Sequence, residues 1–399
     1  MSTSRRKLAE LLTYIIIVVA FLDTMAQLPI LSPFVVSLGA GAVYTGVILG
    51  SYSLVNMLGN IAAGPIIDLY GRKKPIVLGM AVAGAAVAGY ALAVQPWQLL
   101  GFRIVHGMGG AVLIPAIFAY AGDKTKSGSV GRSMGFTGAA IALAALMGPA
   151  LGGIGSAAFG TRAVFIALGI LLCLTAAVTA LTKFREGKSS SEARKEHTSP
   201  LEDVRTKLSF AFGNSALRVA YYFVFTLTFA MGTLAFGMPL TMEDAGFSAA
   251  HTGIFLGIYA GAVILVLVLP SNRVSDTFGR IPTALAGSAC VGTALLMLSF
   301  FSSTVLIAGA MIVYGIGFGT MFPAVSAMIV DHTDTEKRGT AFGIFHAVFS
   351  LGTFTGPIAA GFVARAGTRP FWAAIGLFLV TGLIYAGKSL LRRFSSASA

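Results

Sequence analysis

The sequence predicts an all-α membrane protein in which twelve transmembrane helices form two pseudo-symmetric bundles of six. Three observations support this prediction: the composition, the number of apolar segments and an internal repeat. Of the 399 residues, 56% are hydrophobic and only 11% are charged, whereas soluble domains contain about 25% charged residues. This composition excludes a water-soluble fold.

Twelve apolar segments are long enough to cross a bilayer, which takes about 20 residues. They are 11–36, 43–67, 75–94, 98–121, 132–153, 163–183, 216–240, 252–270, 283–301, 304–328, 340–363 and 371–391. Between the sixth and the seventh lies a stretch rich in Ser, Glu, Lys and Arg without apolar periodicity, which is typical of a solvated linker. We therefore predict an N-terminal bundle over 1–183, a cytoplasmic linker over 184–209 and a C-terminal bundle over 210–399.

The two halves of the chain are related by an internal repeat with one constant offset. The aligned pairs include Asp68 with Asp276, Gly71 with Gly279, Arg72 with Arg280, Pro115 with Pro323, Asp123 with Asp331, and Gly148-Pro149 with Gly356-Pro357. Glycine matches are expected in a glycine-rich chain, but acidic, basic and proline residues in one register are not. Parallel repeats of this kind are typical of transporters that open a site between their halves to each side in turn.

The net charge of +13 follows the topology. Most basic residues lie in loops on one side of the predicted spans, including 5–7, 72–74 and 337–338. The positive-inside rule places that side in the cytoplasm, so we expect a multi-pass plasma-membrane protein with cytoplasmic N- and C-termini. The charge therefore indicates contact with the lipid bilayer and no nucleic-acid partner. Cys173 and Cys290 lie apart from other candidate ligands and indicate no metal site.

Several motifs resemble the major facilitator superfamily across essentially the whole chain. They are GPIIDLYGRKK at 64–74, the partial second copy SDTFGR at 275–280, the segment around Arg103, and GPALGG at 148–153. The chain is similar to the twelve-span drug/proton antiporters of that family. The resemblance implies two six-helix halves that alternate in access and transport a small molecule.

The first motif and its copy predict a conformational latch at the cytoplasmic surface. An acidic residue there can stabilise the N-terminus of span eleven through the helix dipole, and the resemblance implies such a contact between the halves. Ordinary flanking charge explains Lys73 and Lys74, but not acidic residues that recur in both copies. The predicted latch residues are Gly64, Asp68, Gly71, Arg72, Asp123, Asp276, Gly279, Arg280 and Asp331.

The GPALGG segment supplies small residues that allow close helix packing. In the family, the resembling motif is associated with antiporters that include drug exporters. Here Gly148, Pro149, Gly152 and Gly153 match that motif, while Ala144 stands where its first glycine would be.

Asp23 is the one acidic residue well inside a predicted span. A carboxylate at that depth costs about 2.5 to 3.5 kcal/mol on insertion scales and indicates a cavity or a proton site. The alternative is a permanently paired structural aspartate. In LLGFRIVHG, Arg103 and His106 share a helix face, and the resemblance links this arginine to proton transfer. We therefore predict proton coupling through Asp23, Arg103 and His106; for His106 the alternative is a hydrogen-bonded structural histidine.

Polar and aromatic residues near these positions are candidates to line a substrate cavity, although each also fits a packing role. They are Gln27, Asn56, Phe136, Tyr222 and His346. Few amide side chains occur in the chain, so a sugar cavity is disfavoured.

The sequence thus predicts a secondary active transporter that exports a hydrophobic or amphipathic small molecule by proton antiport. The alternatives are an exporter or proton symporter of an anionic metabolite, such as a metal-chelating compound or organic acid, and, from another class, a membrane receptor. Neither a nucleotide-binding loop nor a catalytic constellation is present, so we expect no enzyme. We expect a monomer without a cofactor, and protons as the coupling ion.

Overall fold

The computed structural model describes residues 3–123, 130–182, 209–210, 212–269 and 272–397. Within those ranges every regular element is helical. The first seven helices are α1 Thr3–Gln27, α2 Leu31–Ser37, α3 Ala42–Tyr70, α4 Lys73–Tyr90, α5 Pro96–Asp123, α6 Val130–Phe159 and α7 Thr161–Leu181. The second seven are α8 Ser215–Asp244, α9 Ala249–Val268, α10 Asn272–Phe278, α11 Arg280–Phe300, α12 Thr304–Asp331, α13 Thr335–Arg365 and α14 Trp372–Ala397.

The number and order of these helices fit the twelve membrane crossings predicted from the sequence. In the described part of the chain, nine helices are individually long and apolar enough to span a bilayer, and the bent pair α1–α2 provides a tenth crossing. The remaining two are α4, whose first turn carries two lysines, and α14, whose apolar part is Trp372–Tyr385. The all-helical, two-halved fold predicted from the sequence is confirmed.

The first crossing differs from the prediction of one continuous span over 11–36. It breaks after Gln27, and α2 leaves the axis of α1 at 49°. Pro29 lies in the break, where its missing N–H and fixed φ disfavour a continuous helix. Because of this bend α2 reaches the second half, where the Ser32 hydroxyl donates to the carbonyl oxygen of Phe236 at 2.9 Å.

Each half has its own apolar core, and the repeat is visible in the turns and packing. Gly71 precedes α4 and Gly279 precedes α11, both with positive φ, at 77° and 90°, a conformation that favours glycine. The second-half helix α8 begins at Asn214, whose side chain accepts from the backbone N–H of Ala216 at 2.9 Å. Phe236 of the second half is buried within the core of the first.

Twelve crossings place both ends of the chain on one face, the termini face, and the α2–α3 and α8–α9 connections on the opposite face. Near the opposite face the halves contact closely through α3 with α13 and α6 with α9. A Cβ on Gly46 would lie 2.8 Å from the Cα of Ile358, and one on Gly153 would lie 3.1 Å from the Cα of Gly253. Small residues make this approach possible.

Toward the termini face the same helices diverge. A Cβ added to Gly64 of α3, or to Gly339 or Gly343 of α13, would meet no described atom within 4 Å. Gly135 and Gly138 of α6 are equally open. The gap between the halves therefore opens at the termini face and is closed at the opposite face.

Candidate functional site

A buried polar network occupies the first half, and Asp23 of α1 is its acidic member. Asp23 is 3% exposed. One carboxylate oxygen, Oδ1, accepts from Gln27 Nε2 at 2.7 Å, and the other, Oδ2, lies 2.8 Å from His106 Nε2 of α5. A buried carboxylate requires such partners, since an unpaired one is strongly disfavoured away from water. In this conformation the carboxylate is enclosed by protein rather than facing the gap.

Arg103 is held by the neighbouring helix α3 and reaches Asp23 only through an amide. Its Nε donates to the carbonyl of Ile48 at 3.2 Å and its Nη2 to the carbonyl of Leu49 at 2.5 Å. Its Nη1 donates to Gln27 Oε1 at 3.3 Å. Gln27 thus bridges the carboxylate and the guanidinium, because its amide donates at one end and accepts at the other.

This bridge changes the predicted role of Gln27. The sequence places it in the substrate cavity, but the side chain is 2% exposed and both ends of its amide are bonded within the network. The structure therefore assigns Gln27 to the buried network and not to the cavity. The i, i+4 spacing of Asp23 and Gln27 on α1 indicated that the two could interact.

His106 lies between Asp23 and a residue that sequence reasoning missed, Tyr90 of α4. Its Nδ1 is 2.8 Å from the Tyr90 hydroxyl, and the imidazole is 1% exposed. The ring of Tyr52 lies 4.6 Å from the His106 ring and 5.3 Å from the Arg103 guanidinium carbon. The signal available in the sequence for Tyr90 was a lone hydroxyl in an otherwise apolar segment.

The hydrogen-bond pattern of the network depends on where its protons lie. His106 Nε2 faces the Asp23 carboxylate and its Nδ1 faces the Tyr90 hydroxyl, and the tautomer of the imidazole decides which nitrogen donates. An added proton on Asp23 or on His106 removes one acceptor from this pattern, so each protonation state requires a different arrangement of side chains. Such a network is suited to a proton switch.

The other predicted cavity residues lie in different surroundings. Asn56 accepts from Asn60 Nδ2 at 3.0 Å on α3, and Phe136 is half-exposed beside Tyr14 of α1. The hydroxyl of Tyr222 is 2.7 Å from that of Thr381, so it joins α8 to α14 rather than facing the gap. His346 is exposed on α13.

The second-half latch residues are brought together at the termini face. Arg280 Nε donates to Asp331 Oδ2 at 2.9 Å, and its Nη1 donates to Asp276 Oδ1. In the first copy, Arg72 Nη1 donates to the Ile67 carbonyl at 3.3 Å. The side chains of Asp68 and Asp123 lie outside the described residues, and so their predicted contacts stay predictions.

The predicted antiporter motif lies where α1, α6 and α9 meet. Gly148 and Gly152 pack against Met25 and Ala26 of α1. Gly153 and Pro149 face the start of α9 from the second half. One glycine-rich segment therefore joins the helix that carries Asp23 to the contact between the halves. Within the described ranges no group of three or more His, Cys, Asp or Glu side chains could hold a metal ion.

Comparisons with known proteins agree with this architecture. The sequence profile of the Major Facilitator Superfamily matches residues 13–269 and 225–395. Multidrug resistance protein 2 of Bacillus subtilis is 23% identical over 376 residues, covering 92% of this chain and 91% of that protein. The class G tetracycline resistance protein of Vibrio anguillarum is 26% identical, with 90% of each chain covered.

The fold is similar to that of solved transporters. A bacterial homologue of the human lysosomal transporter Spinster, in an inward-facing and unoccupied conformation, superposes with a TM-score of 0.78 at 18% identity. The match covers 92% of this chain and 84% of that one.

Proposed function

The chain belongs to the Major Facilitator Superfamily and is a multi-pass membrane transporter, not an enzyme; from this premise we propose that it exports a hydrophobic or amphipathic small molecule in exchange for protons. The observation that carries the proposal is the buried network around Asp23. It joins one carboxylate, one imidazole and one guanidinium, which are 3%, 1% and 7% exposed. We further propose a monomer in the plasma membrane with cytoplasmic termini.

The network offers a physical route from a proton to the contact between the halves. Gln27 donates a hydrogen bond to Asp23 and accepts one from Arg103. The Arg103 guanidinium in turn donates to the carbonyls of Ile48 and Leu49. These two carbonyls lie on α3 between Gly46 and Gly50, the glycines that pack against α13 of the second half.

A proton on Asp23 weakens its bond from Gln27 and frees the amide to turn. That movement alters the hold of Arg103 on α3, and with it the fit of α3 against α13. A proton can bias the two conformations only as far as it binds them with different affinity. We propose that Asp23, which is enclosed in the conformation described here, is accessible to water in the other one, and that its affinity for protons differs for that reason.

The cargo is proposed as hydrophobic or amphipathic because the site offers little for an anion. Arg103, which an anionic metabolite would need, is 7% exposed and has bonds from Nε, Nη1 and Nη2 within the protein. The similar proteins named for multidrug and tetracycline resistance support efflux of this class of molecule.

The test uses purified protein in lipid vesicles with an imposed pH difference, and ethidium as a fluorescent amphipathic probe. Wild type should move ethidium against its gradient when protons flow the other way. Asp23→Asn should lose the response to the pH difference while retaining downhill movement. Glu243→Gln, at the opposite face, is the matched control and should behave as wild type. Full pH-driven accumulation by Asp23→Asn would overturn the proton role of this residue.

A further inference from the structure

A continuous series of aromatic rings, here called the aromatic strip, crosses the second half from α9 over α12 to α13. It consists of Tyr259, Phe318, Phe322, Phe345 and Phe349. The ring centroids of Tyr259 and Phe318 are 6.0 Å apart, and Phe318 and Phe322 stack at 5.8 Å with only 6° between their planes. Phe322 then contacts Phe345 at 5.8 Å and Phe349 at 6.5 Å.

The first half builds the same helix contacts without this strip. The constant offset of the repeat pairs the four phenylalanines with non-aromatic residues, namely Gly110, Ile114, Thr137 and Ile141. Only the tyrosine has a counterpart: Gly107 packs on the backbone of Tyr52, as Gly315 packs on that of Tyr259. The fold therefore does not require aromatic rings at these positions, and the strip is a specific property of the second half.

The strip lies beside an imidazole that is exposed to the gap between the halves. His346 shares a face of α13 with Thr353 and Pro357, by the helical spacing of these positions. Near the opposite face that helix face contacts α3 and α8, where Pro357 packs on Gly46 and Gly232. His346 lies three turns toward the termini face, where α3 has moved away. It is exposed and makes no hydrogen bond to any described residue.

We propose that the aromatic strip binds a planar aromatic ring system of the cargo, and that His346 hydrogen-bonds to a hydroxyl group at its edge. This inference rests on the proposed export function and specifies its substrate class. Aromatic rings stack on one another with a preference beyond area burial. Phe318 and Phe322 are parallel to each other and partly exposed, whereas Phe345 is buried.

The residue that corresponds to His346 in the first half shows whether the imidazole belongs to the shared scaffold. The repeat aligns it with Gly138, so the imidazole, like the phenylalanines, occurs in one half only. Phe349 follows His346 by three residues and Phe342 precedes it by four, which puts a ring on each side of the imidazole along one helix face. An aromatic cargo stacked on Phe349 would bring a substituent within reach of that imidazole.

The experiment measures equilibrium binding to the full-length purified protein by isothermal titration calorimetry, at one pH and without a gradient. The probes are 2-naphthol and its saturated analogue decahydro-2-naphthol. Wild type should prefer 2-naphthol. Phe322→Leu should weaken 2-naphthol binding about three- to tenfold, because it removes the central stacking ring, and leave the saturated alcohol unchanged. Phe300→Leu, beside Trp372 near the opposite face, is the matched control and should match wild type.

A second variant tests the imidazole. Wild type should bind 2-naphthol more tightly than naphthalene, and His346→Ala should abolish that difference. The proposal is overturned if wild type binds the flat and the saturated alcohol equally, if it binds neither, or if Phe322→Leu binds 2-naphthol as wild type does.

The proposed function fails separately from this one. Asp23→Asn should still bind 2-naphthol like wild type, because Asp23 is not part of the strip. If wild type binds 2-naphthol through the strip but shows no pH-driven transport, the proposed binding site stands and the proposed proton mechanism fails.

Discussion

The two halves share one scaffold but differ in what they bury at equivalent positions. Where the first half buries Arg103 and His106 on α5, the repeat places Met311 and Tyr314 on α12 of the second. Tyr90 of α4 corresponds in the same way to Leu298 of α11. The apolar half shows that this helix packing is stable without charges. The ionisable groups of the first half are therefore not needed for the fold, which is what a functional role predicts.

Arg103→Met replaces the arginine by the residue type found at the equivalent position of the second half, Met311. Of the changes considered, it should have the largest effect on stability and transport. It leaves the carbonyls of Ile48 and Leu49 without a donor from Arg103 and removes the charge that balances Asp23. Breaking a buried pair of charges typically costs about 3 to 5 kcal/mol. We expect a marked fall in thermal stability in detergent and no pH-driven transport.

Met311→Leu is the matched change in the second half and conserves apolar volume, so it should cost less than about 1.5 kcal/mol. Both variants are compared by thermal unfolding with a fluorescent thiol probe and by the vesicle assay. If Arg103→Met were as stable and as active as Met311→Leu, the charged network would have no role in either property.

Gly46→Val should block closure at the opposite face. Its Cβ would lie 2.7 Å from the carbonyl carbon of Pro357, so α3 and α13 must separate. We expect transport to fall at least tenfold, with increased labelling of a cysteine placed on the opposite-face side of the gap. Gly64→Val on the same helix meets no described atom within 4 Å and should retain transport. Equal activity of the two variants would contradict the closed geometry.

His106→Gln and Tyr314→Phe separate the two equivalent positions. Glutamine cannot take up a proton, and the bond to Asp23 is of the charge-assisted kind worth about 1.5 to 3 kcal/mol. pH-driven accumulation should therefore fall about tenfold or more. The Tyr314 hydroxyl is buried without a hydrogen-bond partner among the described residues, so its removal should change stability by less than about 1 kcal/mol, or improve it. If Tyr314→Phe lowered pH-driven accumulation more than His106→Gln does, the proposed role of His106 would be contradicted.

Arg280→Ala should have the smallest effect on stability. Its pairs with Asp276 and Asp331 lie near the surface, where ion pairs are worth about 0.2 to 1 kcal/mol. The transport cycle should slow without a change in substrate preference. The measurement is the initial rate for ethidium and for a second dye, compared with Lys74→Ala at the same face. A change in preference alone would contradict the latch.

Much of the fold was predictable because apolar length and repeat register depend on local sequence. The twelve spans, their order and the paired turns at Gly71 and Gly279 follow from these signals. The break between α1 and α2 was not predicted, although Pro29 marks it, because a proline within an apolar span can also kink a helix without breaking it. The contact of α2 with α8, through Ser32 and Phe236, joins segments that are distant in the sequence and has no local signal.

The sequence predicted the charged residues of the candidate site but not the hydrogen bonds that join them. Asp23, Arg103 and His106 are rare residue types in apolar segments, and their cost in a membrane singles them out. Tyr90 and the bridging geometry of Gln27 depend on which helices meet in three dimensions. The second-half strip was missed because the chain contains 29 phenylalanines, and only the arrangement of the rings in three dimensions distinguishes those of the strip.

The closure at the opposite face consists of main chain against main chain, through Gly46, Gly50, Gly153 and Gly253, with one hydroxyl from Ser32. The glycine contacts described here involve no titratable side chain. Acidity or ionic strength at that face should therefore not act on these contacts directly, and what opens them must arrive as mechanical force through the helices, generated elsewhere in the molecule.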